Sequence, residues 1–249
     1  MNPGTQALLT QQLKILKMST MLKSLDAQIR RAKQEHLDYA EFLLNLAEAE
    51  VQVRLENGRK RRLQEARFPI KKPLELFDFN ESPGLDIRLI RELSSGEFIR
   101  EARNVIFLGK SGTGKTHLST SLGMEACRHG YRTRFVTGCG IVNELTEARD
   151  QQTLGRIIRR YASYPLLILD ELGYVPFSKT GSELLFQLLA ERHERKSVII
   201  TTNLGFGDWT QIFGDPNLAA ALLDRVTHKA YIIDCNWESY RLKQTLNKV

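Results

Sequence analysis

The sequence predicts an α/β fold in which buried parallel strands lie between helices, after a small all-α region. Short apolar runs, the pattern of strands buried on both faces, recur in the last two thirds of the chain at residues 105–108, 166–169 and 198–200. A glycine-rich loop at residues 109–114 joins the first of these runs to a predicted helix. In the first third of the chain, apolar residues instead recur every three or four positions, which is the period of a helix.

The composition suits one α/β domain and a smaller helical one, because 249 residues with 42% apolar content can bury a sizeable core. Lys and Arg number 36 against 29 Asp and Glu, and the net charge of +7 is compatible with a nucleic-acid partner without identifying one. The three cysteines form no C-x-x-C pair, which favours reduced thiols over a metal site. No apolar segment approaches the ~18 residues of a membrane span, and a signal peptide's apolar centre is missing. We therefore expect a cytoplasmic protein with no membrane partner.

The N-terminal third is predicted to be a domain of two or three helices at residues 1–67. Five apolar residues share one helical stripe: Ile15, Met18, Leu22, Leu25 and Ile29. A second helix is predicted to begin at Asp38, with Glu41 completing an acidic variant of the capping box. Its apolar face comprises Phe42, Leu46, Ala49 and Val53. Asn57-Gly58 is expected to interrupt or end this helix.

Two groups of basic residues are candidate DNA contacts. The first is the run Arg59, Lys60, Arg61 and Arg62. Clustered like charges repel one another unless a polyanion offsets them, although such a run can equally be a solvated face. The second group is Arg156, Arg159 and Arg160, on a helix predicted at residues 154–162.

Residues 68–84 are predicted to be an extended linker without a long helix, because Pro69, Pro73 and Pro83 punctuate them. The second domain is then expected at residues 85–249. It begins with short helices at 86–93 and 97–102 and continues into the apolar run at 105–108.

The loop that follows this run matches G-x-x-x-x-G-K-[ST], the phosphate-binding loop, at every fixed position. Glycines let backbone N–H groups approach phosphate oxygens, Lys115 can reach the β- and γ-phosphates, and Thr116 offers a hydroxyl to Mg²⁺. The next helix adds the positive end of its dipole. The predicted nucleotide-binding residues are Gly109, Lys110, Ser111, Gly112, Thr113, Gly114, Lys115, Thr116 and His117.

Two carboxylates end a later strand of the predicted sheet. Helices are predicted at 117–129 and 140–148 and a strand at 132–137, before the apolar run at 166–169 leads into Asp170 and Glu171. The carboxyl end of such a strand opens on the ligand crevice. Asp170 is predicted to hold the magnesium shell there, and Glu171 to orient and deprotonate the attacking water.

The functions of residues near the carboxyl end of the chain are less clearly indicated by the sequence. Asn203, after a strand at 197–202, is predicted to contact the γ-phosphate or the water, and turn formation is the alternative. Trp209 is expected to pack under a loop rather than stack on a base. Arg225, on a helix at 219–228, fits either a surface salt bridge or an arginine that reaches the γ-phosphate of a neighbouring subunit. A last strand is predicted at 231–233, and the helical lid over the nucleotide is expected to be short or missing.

Taken together, these segments resemble the IstB-like AAA+ helper ATPases of bacterial insertion-sequence transposition. The resemblance rests on Tyr39 to Leu43, Phe77-Asp78-Phe79, the GKTHL ending, LLILDELG from Leu166, and on three further segments: Thr201-Thr202-Asn203, residues 223–228 and Ser239-Tyr240-Arg241. It implies an AAA+ P-loop NTPase with a five-stranded parallel sheet, ATP and Mg²⁺ as cofactors, self-assembly on double-stranded DNA and a cognate transposase as partner. It also places Arg225 as the arginine finger and Arg241 where a second phosphate-sensing arginine would lie. Thr202 replaces the usual Ser, and Trp237 stands where a Gly commonly precedes the last motif.

Three functions fit the motifs. The first is the transposition helper, and the second is a DnaC-like loader of a replicative helicase, which shares the ATPase core. The N-terminal resemblance at residues 39–43 favours the first. A small-molecule P-loop kinase is the third, but no acceptor-binding lid is evident, and the Asp170-Glu171 pair suits hydrolysis better than transfer.

Overall fold

The computed structural model describes residues 2–240. The chain divides into two compact units between Arg61 and Arg62, and each is described by itself. The division lies within a helix, whereas the predicted limit of the N-terminal domain is residue 67.

The N-terminal unit is all-helical, with α1 at Pro3–Ile15, α2 at Ser19–Glu35 and the greater part of α3, which runs from Tyr39 to Ala66. Its core consists of Leu13, Met21, Leu25 and Leu46. The single stripe expected from Ile15 to Ile29 was wrong at its start. Lys17 has a left-handed φ of 56°, which ends α1, so Ile15 is exposed and α2 begins afresh after Met18.

Helix α3 begins with the predicted capping box. The Asp38 N–H donates to Glu41 Oε2 at 3.1 Å, and the Glu41 N–H donates to Asp38 Oδ1 at 2.8 Å. The expected interruption at Asn57-Gly58 was wrong, because α3 continues through it. A mid-helix glycine costs about 1 kcal/mol relative to alanine, and the ion pairs from Glu56 to Arg59 and Lys60 offset part of that cost.

The segment at residues 68–84 contains two short 3₁₀ turns, Leu74–Leu76 and Phe79–Glu81, and no long helix, as predicted. This connector is nevertheless fixed against the rest of the second unit, to which it belongs. The Ser121 hydroxyl donates to the Lys72 carbonyl at 2.8 Å, and the buried Phe77 ring meets the His117 ring edge-on. The connector is therefore part of the folded surface of the second unit.

A five-stranded, fully parallel sheet organises the second unit and confirms the predicted fold class. Its strands are β1 (Asn104–Leu108), β2 (Thr133–Thr137), β3 (Leu166–Leu172), β4 (Ser197–Thr202) and β5 (Ala230–Asp234), in the spatial order β2-β3-β4-β1-β5. Strand β4 thus lies between β1 and β3, so the carboxyl ends of these three strands are neighbours.

Helices cover both faces of this sheet and form two apolar cores with it. They are α4 (Ile87–Ser94), α5 (Glu97–Arg100), α6 (Lys115–Arg128), α7 (Gly138–Asp150), α8 (Leu154–Ala162), α9 (Lys179–Arg192), α10 (Trp209–Phe213) and α11 (Pro216–Thr227). Helices α9 and α10 were not predicted. Trp209 is fully buried beside Phe206 and Phe213, as expected. In the part of the chain described, no helix is both long and apolar enough to cross a membrane.

Candidate functional site

The loop between β1 and α6 has the backbone that its glycines allow. Gly112 and Gly114 have φ values of 81° and 90°, which residues with a Cβ rarely adopt. A Cβ on Gly112 would lie 2.1 Å from the Ser239 hydroxyl, and one on Gly114 would lie 2.8 Å from the Phe77 ring. The loop is therefore closely enclosed by the connector and by the segment after β5, and substitution of either glycine would disturb it.

Lys115 and Thr116, the first residues of α6, lie against the loop and against β3. The buried Lys115 ammonium donates to the carbonyls of Gly109 and Lys110, both at 2.6 Å. The Thr116 hydroxyl lies 3.1 Å from both carboxylate oxygens of Asp170. The amino end of α6 and the carboxyl end of β3 thus meet through a hydroxyl and a carboxylate, which are oxygen ligands of the kind that Mg²⁺ prefers.

Asp170 and Glu171 differ in environment although they are adjacent. Asp170 is almost fully buried, and its burial raises the pKa of its carboxyl while hydrogen bonds from Thr201 and Thr116 oppose that rise. Glu171 is exposed and lines the pocket above the loop. A buried acid fixed by hydroxyls and a solvent-accessible acid are chemically suited to different tasks, and the two roles predicted for them stay predictions.

Asn203 directly follows β4, between the loop and the two acids in the order of the strands. Its side-chain Oδ1 is buried and accepts no hydrogen bond from the residues described. A buried amide oxygen without a protein donor is costly unless water or a ligand satisfies it. This property favours the predicted polar contact over simple turn formation.

The pocket extends beyond the predicted residues. Besides residues 111–117 and Glu171, its lining includes Ile70, Leu76 and Phe77 of the connector and Trp237 and Tyr240 of the last described segment. The Tyr240 N–H donates to the Gly112 carbonyl at 3.1 Å. These lining residues were missed as site residues because only contacts distant in sequence bring them to the loop. The available signals were two motifs of the family resemblance, Phe77-Asp78-Phe79 and Ser239-Tyr240-Arg241.

His117 lies at the pocket, but its ring is engaged by the connector. Its Nε2 lies 3.1 Å from the Pro73 carbonyl oxygen, and burial lowers the pKa of the ring. His117 is therefore placed to hold the connector against α6.

Of the two alternatives predicted for Arg225, a single chain can test only the salt bridge, and the contact with a neighbouring subunit stays a prediction. Among the described residues it forms no ion pair, and it does not line the pocket. Its guanidinium lies over the Phe186 ring, 4.6 Å from the centroid, and donates to the Ala221 carbonyl at 2.8 Å. The salt-bridge alternative is thus not realised in the described structure.

The candidate DNA contacts have different surroundings. Arg59 and Lys60 pair with Glu56, and Arg62 donates to the Cys127 carbonyl, while Arg61 is exposed. Arg156 and Arg159 are exposed on α8, and Arg160 pairs with Glu144. Arg241 lies outside the described residues, as do residues 242–249 of the segment on which the lid prediction rests.

Comparison with known proteins gives consistent matches. The model of a family described as IstB-like ATP binding protein matches residues 11–248. An ATP-binding protein of insertion sequence IS21 from Pseudomonas aeruginosa is 39% identical over 229 residues, covering 92% of this chain and 86% of that protein.

Two solved structures are similar in fold to a large part of this chain. AMPPCP-bound DnaA from Aquifex aeolicus has a TM-score of 0.59 at 20% identity, covering 74% of this chain and 57% of that one. The DnaC helicase loader has a TM-score of 0.50 at 24% identity, covering 59% of this chain and 86% of that one.

Proposed function

This chain belongs to the family of IstB-like ATP-binding proteins, and on that premise we propose that it is a DNA-binding helper of transposition. In this proposal it assembles on double-stranded DNA, hydrolyses ATP, and targets and stimulates a partner transposase. The observation that carries the ATPase part is the contact of Thr116 with the buried Asp170 beside the phosphate-binding loop, at a pocket that Thr116 and Glu171 line.

Nucleotide binding follows from the loop and its surroundings. Backbone N–H groups of residues 109–116 and the amino end of α6 would contact the phosphates, and Lys115 would exchange its carbonyl contacts for the β- and γ-phosphate oxygens. The apolar side chains of Ile70, Leu76 and Trp237 offer a surface for the flat face of the base.

Thr116 and Asp170 would hold Mg²⁺, since one hydroxyl, one carboxylate and the substrate's phosphates form the usual ligand set of that ion. When bound, the ion neutralises charge on the β- and γ-phosphates. This arrangement fits the described residues, which contain no group of three or more His, Cys, Asp or Glu placed to hold a metal by themselves.

Hydrolysis would use Glu171 as the base. Its carboxylate would take a proton from water as the water oxygen bonds to the γ-phosphorus and the bond to the β–γ bridging oxygen breaks, giving ADP and phosphate. Asn203 would orient the water or the γ-phosphate. Arg225 of an adjacent subunit would stabilise the charge that develops on the transferred group.

The DNA, self-assembly and transposase parts rest on the family rather than on the pocket. The Pseudomonas relative takes its name from an insertion sequence and aligns with 92% of this chain. The likeness to the DnaC helicase loader, at 24% identity, concerns the fold alone. These comparisons support a transposition helper over a helicase loader.

Replacement of Glu171 by Gln tests the proposed hydrolysis. The amide keeps the size of the side chain but cannot accept the proton, so ATP binding should persist while turnover falls by ~10² or more. Phosphate release and the affinity for a fluorescent ATP analogue should be measured on the same preparation. Lys115→Ala is the matched control, since it should lose binding itself. Turnover by Glu171→Gln close to that of the wild type would refute the proposed mechanism.

A further inference from the structure

The strand that carries the two acids is irregular at their position. Leu169 pairs with Ile200 and Leu172 pairs with Thr202, so Asp170 and Glu171 of β3 together lie opposite Thr201 of β4. This two-against-one arrangement is a β-bulge, a feature that re-aims side chains beside active sites. Glu171 has a φ of 57°, in the left-handed region that residues with a Cβ rarely adopt.

One hydroxyl contacts both members of the bulge. Thr201 Oγ1 donates to Asp170 Oδ1 at 2.6 Å and accepts the Glu171 N–H at 2.9 Å. Thr201 is 1% exposed, so water cannot readily replace either contact. As a β-branched residue in a strand, it also has a restricted χ1, which fixes the direction of the hydroxyl.

From this geometry we infer that Thr201 is a positioning residue that holds Asp170 and Glu171 in their working arrangement. In a regular strand, adjacent side chains point to opposite faces of the sheet. The bulge lets Asp170 meet Thr116 while Glu171 reaches the same pocket, and the Thr201 hydroxyl fixes both. The inference rests on the proposed roles of the two acids in hydrolysis.

The two hydrogen bonds of the Thr201 hydroxyl can be tested without nucleotide or metal. In Thr201→Val, which has nearly the same shape, the Glu171 N–H loses its acceptor. Its amide hydrogen should then exchange with solvent at least tenfold faster than in the wild type. Thr201→Ser keeps the hydroxyl and should retain most of the protection. Hydrogen exchange read at Glu171, by NMR on the nucleotide-free protein, measures this effect.

Hydrolysis should follow the same order. Thr201→Val should lower kcat about tenfold or more, because small displacements of catalytic groups are costly, while KM for ATP changes by less than about threefold. Thr201→Ser should restore most of the rate. A general loss of folding would instead lower the thermal midpoint of unfolding, without the separate effects on kcat and KM. If Thr201→Val does not fold, Thr201→Ala provides a second variant that lacks the hydroxyl.

Thr202 supplies the matched control. It is equally buried, but its hydroxyl accepts the Leu204 N–H at 3.2 Å, away from the acids. Thr202→Val should keep kcat within about threefold of the wild type. Equal losses at the two positions, or a Glu171 amide that stays protected in Thr201→Val, would overturn the inference. A failure of the Thr201 inference can be told apart from a failure of the proposed function. The hydrogen-exchange result tests the inference without hydrolysis, whereas ATP turnover by the wild type and by Glu171→Gln tests the proposed function.

Discussion

The side chain of Arg225 is held in place by contacts that leave its charge without a carboxylate partner in the described structure. Its guanidinium lies over the ring of Phe186 on α9 and donates to the carbonyl one turn earlier in α11. Such stacking orients the planar group without neutralising it. An arginine that acts on a neighbouring subunit's nucleotide needs this combination of fixed direction and free charge.

Phe186→Leu should therefore weaken hydrolysis without affecting ATP binding. The leucine keeps the apolar volume but removes the ring, and a cation–π contact worth about 0.5–1 kcal/mol corresponds to about a two- to fivefold loss in rate. Phe186→Tyr retains the ring and serves as the matched control. Steady-state kinetics of both variants measure the effect. Equal rates for Phe186→Leu and the wild type would show that the stacking does not orient Arg225 for catalysis.

At the residue scale, candidate site residues could be predicted where they belong to a sequence motif with fixed spacing. Residues whose role depends on contacts between strands could not. Lys115, Thr116 and Asp170 follow from motifs whose chemistry needs those residue types. Thr201 was quoted only as part of a motif, because its two hydrogen bonds depend on a bulge in another strand. No local sequence pattern predicts such a shift in the pairing of two strands.

At the scale of elements, the basic face of α8 is better placed to contact DNA than the basic run on α3. Arg156, Arg159 and Arg160 lie three and four positions apart and share one side of the helix, while Ile157, Ile158 and Tyr161 are buried on the other. The four residues of the α3 run instead wind around that helix. Two of them, Arg59 and Lys60, share an ion pair with Glu56.

Joint replacement of Arg156 and Arg159 by Ala should reduce the salt dependence of DNA binding. Each lost phosphate contact removes roughly 0.9 from the slope of log K against log salt, so the double variant should lose about 1.8. Lys60→Ala with Arg61→Ala removes the same charge from α3 and should change the slope less. Fluorescence anisotropy with duplex DNA across a salt series measures both. The reverse order would place the DNA contact on α3.

The elements themselves show where local patterns succeed. Strands β1, β3 and β4 were predicted because short apolar runs are typical of a buried parallel sheet. Helix α3 was predicted to be interrupted or to end at Asn57-Gly58. It continues through this pair despite the low helix propensity of glycine, and an ion pair between Glu56 and Arg59 stabilises it there. Helices α9 and α10 were missed, and the former packs its Leu184, Leu185 and Leu188 into the core beside β3 and β4.

For the whole molecule, the decisive question is whether a complete active site needs two copies of the chain. Arg225 does not line the described pocket of its own chain, although the proposed mechanism places it, as a second cation besides Lys115, at the γ-phosphate. A head-to-tail assembly in which one subunit's loop faces the next subunit's α11 would supply it. A shared site makes inactive variants complementary in a way that a site within one chain does not.

Mixing Lys115→Ala with Arg225→Ala should therefore restore ATP hydrolysis. Each protein alone should be inactive, the first because it cannot bind ATP and the second because it lacks the charge that is worth about 10³–10⁵ in rate. In an equal, random mixture about a quarter of the junctions join an intact loop to an intact Arg225, so activity should approach that fraction of the wild type. Phosphate release measured over a dilution series in the presence of duplex DNA should show the restored activity only at concentrations that allow assembly.

The matched control mixes Arg225→Ala with the double variant that carries both substitutions, because that mixture contains no intact Arg225. It should stay inactive at every concentration. If the first mixture is as inactive as this control while both assemble on DNA, Arg225 acts within its own chain or not at all. Restoration in the first mixture alone would instead mean that hydrolysis is coupled to assembly, since a subunit without a neighbour could bind ATP but not turn it over.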